Sequence, residues 1–342
     1  MKRKVFITGG AGFIGSNAAF YFLKKGYSVT VFDNFSRKGS KFNIEWLKEN
    51  FKKDLKVVKG DVTKDIKLMA AEIKGSYLVL HLAGQVAVTT SVINPREDFE
   101  INALGTFNAL EAVRMTGENP VFIYSSTNKV YGGLEDLTVL ETKTRYKFKN
   151  LPKGVPEERG VDFHSPYGCS KGAADQYVRD YSRIYGLNTV VFRQSCIYGP
   201  RQFGVEDQGW VAWFLIALTQ GKDITIYGNG KQVRDLLYVE DLVNAYDLAA
   251  KNIKKTKGQI YNIGGGSSNT LSVWMEFKPL LEKVFKRSIE TKFGEWRPGD
   301  QPIFIADISK AKKEFGWEPK VSVEEGVKKL YAWVTANKHF WK

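Results

Sequence analysis

Short apolar runs, each closed by glycine or a polar turn, alternate with longer stretches of helical length over the first two hundred residues. Lys4-Val5-Phe6-Ile7-Thr8 is rich in β-formers and leads into Gly9-Gly10-Ala11-Gly12-Phe13-Ile14-Gly15, after which Asn17 to Leu23 has the length of a helix. Ser28 to Asp33, Val57 to Val62, Tyr77 to Gly84, Val121 to Thr127 and Thr189 to Arg193 predict five further strands, and Asn94 to Met115 predicts one long helix. Strands alternating with helices predict an α/β fold built on a doubly wound parallel sheet. In such sheets ligands gather outside the carboxyl ends of the strands, where most of the polar residues singled out below fall.

Beyond Tyr131-Gly132-Gly133 the pattern breaks into a charged stretch, Glu135 to Asp162. It is too long for an ordinary connection and reads as a covering loop or a small substructure. Ser165 and Pro166 then supply an N-cap and a first helical residue. Trp210 to Leu218 predicts a helix of a second lobe, Tyr227-Gly228-Asn229-Gly230 a turn, and Gln259 to Gly264 a returning strand. A large domain with a smaller, interleaved C-terminal lobe suits a chain of 342 residues.

The glycine run sits between a strand and a helix, the context that gives it meaning. In Gly9-x-x-Gly12-x-x-Gly15, Gly9 permits a tight turn, Gly12 admits a pyrophosphate to the backbone, and Gly15 lets the helix pack on the sheet. The helix N-terminus then faces the phosphates. Asp33 closes the second strand eighteen residues past Gly15, where a carboxylate meets ribose hydroxyls and repels a 2′-phosphate. NAD is therefore favoured over NADP, although Arg37 lies nearby. Asp61 reads either as a partner for the adenine edge or as the cap of the segment from Thr63, and the two are compatible.

Composition narrows the classes. No apolar run reaches membrane-spanning length, and the N-terminus turns to glycine too early for a signal peptide. Two cysteines, Cys169 and Cys196, build no disulfide framework, and no metal-ligand spacing occurs, so the expected compartment is the reducing cytoplasm. The net charge of +14 comes from short lysine groups scattered among acids, as on solvated helix faces. It predicts no nucleic-acid tract and would favour an anionic diphosphate ligand.

Tyr167 and Lys171 are four residues apart on the predicted helix, hence on one face. An ammonium beside a phenol is expected to lower the phenol pKa toward the range of a proton carrier. The ordered set of the glycine fingerprint, Asp33, Asp61, the His81 to Gly84 turn, Thr127 before Val130-Tyr131-Gly132, and Tyr167-x-x-x-Lys171 resembles the extended short-chain dehydrogenase/reductase family of nucleotide-sugar epimerases and dehydratases, from Lys4 to about Lys320. That resemblance implies a Rossmann-type domain over residues 1–200, with a return segment about 235–265, and a mainly substrate-binding lobe over 201–342. It implies a catalytic triad at Thr127, Tyr167 and Lys171. It places NAD against Gly9, Gly12, Phe13, Ile14, Gly15, Asp33, Asn34, Asp61, Val62, Leu82, Ala83, Gly84, Asn102 and Ser125, as well as Tyr167 and Lys171. Substrate positions implied are Gln85, Thr127, Asn128, Arg201, Gln202, Tyr227, Arg234 and Arg297, the last two for the diphosphate, which arginine forks bind well. The homodimer or homotetramer of the relatives is implied too.

Dehydratases of the family carry an acid pair after this threonine, whereas this chain reads Thr127-Asn128-Lys129. Without those carboxylates, elimination lacks its acid and base, and epimerisation remains. A narrower resemblance, to family members that invert C2 of a CDP-linked hexose, rests on Gln85 to Ser91, Asp98 to Asn102, Ser125 to Gly132 and Asp162 to Tyr177. Arg201-Gln202-Phe203, Asp207 to Val211 and Asn229 to Asp235 strengthen it. Cys196 replaces a common family asparagine; neither Cys196 nor His164 is given a catalytic role. The competing readings are a UDP-hexose 4-epimerase and, in another class, a non-catalytic dinucleotide- or RNA-binding protein.

Overall fold

A computed structural model describes residues 2–296 and 300–341. Seven parallel strands form the central sheet in the spatial order Gln259–Ile263, Asn188–Gln194, Val121–Thr127, Ser76–His81, Lys4–Thr8, Ser28–Asp33 and Leu55–Lys59. The order reverses at Lys4–Thr8, as in doubly wound dinucleotide-binding sheets. Alternation along the strands sorts the core into two layers. Val5, Ile7, Val29, Val31, Leu78 and Leu80 pack toward Ala18, Ala19 and Phe22 of the helix Phe13–Lys24. Phe6, Phe32, Val79 and Phe122 face the other way, toward Met69, Leu110, Val113 and Val178.

The first, second and fifth strands have the predicted limits, because each is an unbroken β-forming run. The third ends at Lys59 rather than Val62. Gly60 donates its N–H to the Asp33 carbonyl, and Asp61 starts a turn in which its carboxylate accepts from the N–H and hydroxyl of Thr63 at 2.9 and 2.8 Å. The predicted helix from Asn94 to Met115 is three pieces: Pro95–Phe99, a π-helical turn Glu100–Leu104 and Gly105–Met115. Pro95 begins rather than interrupts the first piece, with the Asn94 side chain accepting from the Glu97 N–H. The π-turn lies beside the site, where such irregularities concentrate. Gly105 follows it because a Cβ there would stand 2.7 Å from Val62 Cγ2.

Residues 135–162 form a small substructure with a hairpin of Val139–Glu141 and Tyr146–Phe148. Of the segment 235–265 only Gln259–Ile263 joins the large sheet. Val233–Tyr238 belongs to a smaller sheet, pairing with Thr270–Ser272, Ile303–Phe304 and Cys196–Tyr198. Trp210–Thr219 is the apolar helix of this region, and packs on Ile224, Ile226, Trp274 and Phe277.

The helix Ser165–Tyr185 is fastened to the sheet by a buried ion pair. Arg193 Nε and Nη2 reach the two oxygens of Asp175 at 2.9 and 3.1 Å, and Ser126 Oγ donates to the same carboxylate at 2.8 Å. Arg193 Nη1 donates to Tyr131 Oη, which donates in turn to Asn262 Oδ1. Removing one partner of such a pair strands a charge in the interior. Asp175→Ala is expected to cost about 3–5 kcal/mol, read as a lower urea midpoint; an unchanged midpoint would contradict this account of the pair.

Candidate active site

A cleft of about 510 Å³ opens at the carboxyl ends of the strands. Its floor is the glycine turn. A Cβ on Gly15 would lie 2.2 Å from the Gly9 carbonyl oxygen, and one on Gly9 would lie 2.7 Å from the Ala83 nitrogen. The helix Phe13–Lys24 opens with Gly12, without a side-chain cap or an acid in its first turn. Its first N–H groups are thus presented to the cleft, as anion-binding helix termini are. Asp33 sits buried in the wall, each carboxylate oxygen accepting one backbone N–H, from Ala11 at 3.0 Å and Phe35 at 2.8 Å. Burial pushes its pKa up while these bonds pull it back. A carboxylate has about four acceptor positions, so Asp33 keeps capacity for ribose hydroxyls. Asn34, Asp61, Val62, Leu82, Ala83 and Gly84 line the same cleft. A Cβ on Gly84 would stand 3.0 Å from Asn102 Oδ1 and 3.8 Å from Lys171 Nζ, so the glycine keeps the way open from cleft to lysine. These residues fit NAD: a phosphate cradle, a ribose acceptor and an unobstructed end at Lys171.

At that end Thr127, Tyr167 and Lys171 are all buried. Ser165 opens the helix at φ 63°, a left-handed value uncommon for serine, and its Oγ accepts the Gly168 N–H at 3.2 Å. The Tyr167 N–H is held by Ser91 Oγ at 3.1 Å. Thr127 ends its strand, hydrogen-bonds the Tyr167 side chain and accepts the Lys129 N–H. Lys171 Nζ donates to the Ser125 carbonyl and stands 4.4 Å from the centre of the Tyr124 ring.

The expected electrostatics need correction. Burial pushes Tyr167 up to about 12, with the Thr127 hydrogen bond opposing and the Asp98 charge adding to the rise. Burial also pulls Lys171 down to about 7, against the attraction of Asp98 and Asp175. The desolvation that both groups share outweighs the effect anticipated from their spacing. His81 is likewise driven down, to about 3, by burial and the Lys171 charge, and it bridges Thr8 and Thr106 as a neutral ring.

Asp98, in the sequence only part of a segment carrying the resemblance, has its role shown by the structure's contacts. Buried on the first helical piece, it accepts from Gln85 Nε2, Asn102 Nδ2 and Ser170 Oγ at 2.9, 3.1 and 2.5 Å. Gln85 is thereby committed inside the chain, its amide also bridging the Ala87 backbone. The π-turn brings Asn102 Oδ1 to the Gln85 N–H at 3.0 Å. Flanked by Arg96, Glu97 and Glu100, Asp98 reads in the sequence as one more charge on a solvated helix, so no local signal singled it out.

The remaining predicted positions divide. Arg201 and Gln202 fall in the wall of the dinucleotide cleft, with Arg201 stacked 4.0 Å from the Trp46 ring centre. Tyr227 bonds Glu206 at 3.1 Å on the strand Ile224–Tyr227. Asn128 accepts from Thr127 Oγ1 at 3.4 Å. Arg234 donates to Asp300 at 2.5 Å, and Arg297 lies outside the described residues. A second cavity, about 740 Å³, lies between Lys129, the 132–139 stretch, Phe163, Ser165 and Asp300. Glu135, Asp162 and His164 bring potential ligand atoms within 4.8 Å of one another at its exposed rim.

The sheet, the phosphate cradle and the buried threonine–tyrosine–lysine cluster define a dinucleotide-dependent enzyme of the extended short-chain dehydrogenase/reductase type. Residues 6–330 match the family described as GDP-mannose 4,6 dehydratase, and the chain belongs to it. A CDP-paratose 2-epimerase of Salmonella typhi is 50% identical over 345 residues, covering 97% of this chain and 99% of that protein. The UDP-glucose 4-epimerase structure of Thermotoga maritima, with UDP-glucose, is 32% identical over 98% of this chain and 99% of its own, with a TM-score of 0.81. The UDP-glucuronic acid 4-epimerase of Bacillus cereus, in complex with UDP-glucuronic acid and NAD, gives 27% identity and a TM-score of 0.83 over 97% of this chain and 99% of its own.

The depressed Lys171 value has a measurable sign. Below about 7 the lysine is charged folded and unfolded; between about 7 and its ordinary 10.5 the unfolded chain binds the extra proton. Its contribution to stability therefore rises with pH across that window, by at most about 1.4 kcal/mol per pH unit. Wild type should gain thermal stability relative to Lys171→Met between pH 7 and pH 9 in paired melting curves. A difference that is flat with pH would contradict the assigned shift.

Proposed function

We propose that this chain is an isomerase that inverts C2 of a CDP-linked hexose, of the paratose-to-tyvelose type and extending to glucose and mannose bodies, by transient oxidation to a 2-keto sugar and re-reduction. The observation that carries the reading is the 50% identity to a CDP-paratose 2-epimerase along nearly the whole chain. It is supported by a cluster that retains Thr127, Tyr167 and Lys171 while Asn128 and Lys129 supply no carboxylate for dehydration. NAD, which Gly9, Gly12, Gly15 and Asp33 would hold in the cleft, would supply the acceptor and donor of hydride for the sugar carbon and a positive ring favouring a Tyr167 phenolate.

The protein's part is proton transfer and placement. Tyr167 Oη takes the proton of the C2 hydroxyl and gives it back after the sugar has turned. Thr127 Oγ1 donates to the reacting oxygen and holds Tyr167 in line. Lys171, its charge supported by Asp98 and Asp175, favours the phenolate and would hold the nicotinamide ribose. The turn requires room on the sugar side, a role assigned to the 740 Å³ cavity lined by Lys129 and Ser165. Arg234 and Arg297 are assigned to the diphosphate, Asn128 to the sugar side and Tyr227 to the outer substrate path, whereas Gln85, Arg201 and Gln202, which line the dinucleotide cleft, are given no substrate role. On this reading residues 1–200 are mainly the NAD domain and 201–342 mainly the substrate lobe.

Two further assignments go with this. The unpaired Cys169 and Cys196 support a cytoplasmic location. Ile93, Phe99, Phe107, Tyr177 and Ile184 leave an exposed apolar face along the 88–115 and 165–185 segments, which supports a homodimer or larger homo-oligomer. Light scattering should give at least twice the 38.7 kDa chain mass; a monomer at micromolar concentration would remove this assignment.

The central test incubates the enzyme with CDP-paratose, CDP-glucose, UDP-glucose and UDP-galactose in deuterated water, with NMR detection. Inversion at C2 of a CDP-sugar without deuterium at that carbon is expected, and Tyr167→Phe should lose turnover by at least about a hundredfold while keeping NAD. Inversion at C4 of a UDP-sugar would overturn the substrate assignment. Deuterium at the inverted carbon would sink direct hydride return.

A further inference from the structure

One lip of the dinucleotide cleft is a loop closed on itself. Arg201, Gln202, Phe203, Gly204, Val205 and Gln208 line the cleft from it. Arg201 and Gly209 bound the loop in the left-handed region, at φ 69° and 73°. Between them Val205 and Gln208 exchange backbone hydrogen bonds at 3.0 and 2.9 Å. A loop of this build can turn as one piece about its two ends.

Two contacts join it to the opposite lip, residues 36–40. Arg37 Nη1 donates to Gln208 Oε1 at 3.1 Å in an exposed position, where a hydrogen bond adds little. Phe203 packs on Gly39, where a Cβ would run into the ring. What makes the second contact strong is behind it. Phe42, on the helix Ser40–Asn50, stacks on Phe203 with centroids 5.9 Å apart and an interplanar angle of 18°. Phe340 and Trp341, on the 3-10 turn Lys338–Trp341, stand 5.6 and 5.1 Å from the same ring, and Phe340 also meets Phe42 at 4.5 Å. Trp333, on the helix Val323–Ala336, meets Phe203 edge-on at 5.9 Å. The turn is fastened in its own right. Trp341 Nε1 donates to the Val334 carbonyl at 3.2 Å, and the Gln220 amide donates to the Trp341 carbonyl.

We propose that Phe203, seated by Phe340 and Trp341, is a latch that retains NAD in the cleft, so that the turn Lys338–Trp341 governs how fast the dinucleotide leaves. Swinging the 201–208 lip outward separates Phe203 from Phe42, Trp333, Phe340 and Trp341 and gives their faces to water. Contacts present in the closed cleft and lost in the open one act on the rate of release. Phe203 is thus a positioning residue for the cofactor and takes no part in proton transfer. The proposal goes beyond the epimerase reading. It rests on NAD as the occupant of the cleft and on no choice of sugar or carbon.

The test reads release of cofactor. Enzyme loaded with radiolabelled NAD is chased with excess unlabelled NAD, and retained label is followed by rapid gel filtration. Phe203→Ala and the double variant Phe340→Ala/Trp341→Ala should release label about tenfold faster or more than wild type. Phe203→Tyr, which keeps the ring, should stay within about threefold of wild type. Tyr331, on the same C-terminal helix, packs instead against Phe285 at 4.8 Å, so Tyr331→Ala reports a general loosening of that helix and should also release label like wild type. Melting temperatures check folding, and Phe203→Leu carries the comparison if the alanine variant folds poorly. Folded Phe203 variants that hold NAD as long as wild type overturn the latch, as does a Tyr331→Ala that releases it as fast as Phe203→Ala. A fast Phe203→Ala beside an unchanged double variant overturns the part given to the C-terminal turn. None of these results moves the epimerase reading, which stands or falls on the carbon inverted.

Discussion

The buried pair between Asp175 and Arg193 is the contact on which the catalytic geometry depends. A tyrosine and a lysine on a helix can meet a threonine on a strand only if helix and sheet are locked in one register. Here the lock joins the helix Ser165–Tyr185 to the ends of three adjacent strands, through Ser126, Arg193 and, by way of Tyr131, Asn262. Charged hydrogen bonds are directional in a way that apolar packing is not. Phe122, Val178 and Val191 make the same interface favourable but leave sliding along it less restricted.

The same carboxylate acts electrostatically. The charges of Asp98 and Asp175 both act on Lys171 and oppose the desolvation that discharges it. Asp98 simultaneously raises Tyr167, so the arrangement favours a protonated phenol beside a lysine near its midpoint. A proton carrier does not need to be ionised at rest. It needs states close enough in free energy for a nearby charge to tip them. The expectation from helical spacing alone included the attraction between ammonium and phenolate but not the shared burial, which is a property of the folded site. Burial cannot be read from an i, i+4 pair.

What was legible in the chain follows the range of the forces involved. The strands Lys4–Thr8, Ser28–Asp33 and Val121–Thr127 are local apolar runs, and the glycine turn is set by contacts within a few residues, so both could be read directly. The π-turn at Glu100–Leu104 depends on how Asn102 meets Gln85 and Ser170, sixty-eight positions further on in the latter case, and no local pattern encodes that. The placement of Arg201 and Gln202 is similar. Their motif could be recognised, but the wall they join is formed by residues 36–40, far away in sequence. Asn128 and Lys129 were visible in the sequence as a departure from an acid pair, because that comparison needs only two adjacent residues.

That wall bears on why such a site can run an oxidation and a reduction in succession. A reaction that returns hydride to the carbon it left requires the dinucleotide to stay in place between the two half-steps. The cleft has its phosphate cradle on one side, and on the other it is covered by residues 201–208. Arg37 donates across it to Gln208 at 3.1 Å. Phe203 lies so close to Gly39 that a Cβ there would stand 2.3 Å from its ring. The ring is held from behind by Trp333, Phe340 and Trp341, at centroid distances of 5.9, 5.6 and 5.1 Å. Opening the cleft at this point would separate aromatic faces and expose them to water. The C-terminal segment is thus tied energetically to the cofactor side of the molecule, although it is remote from Tyr167 in sequence.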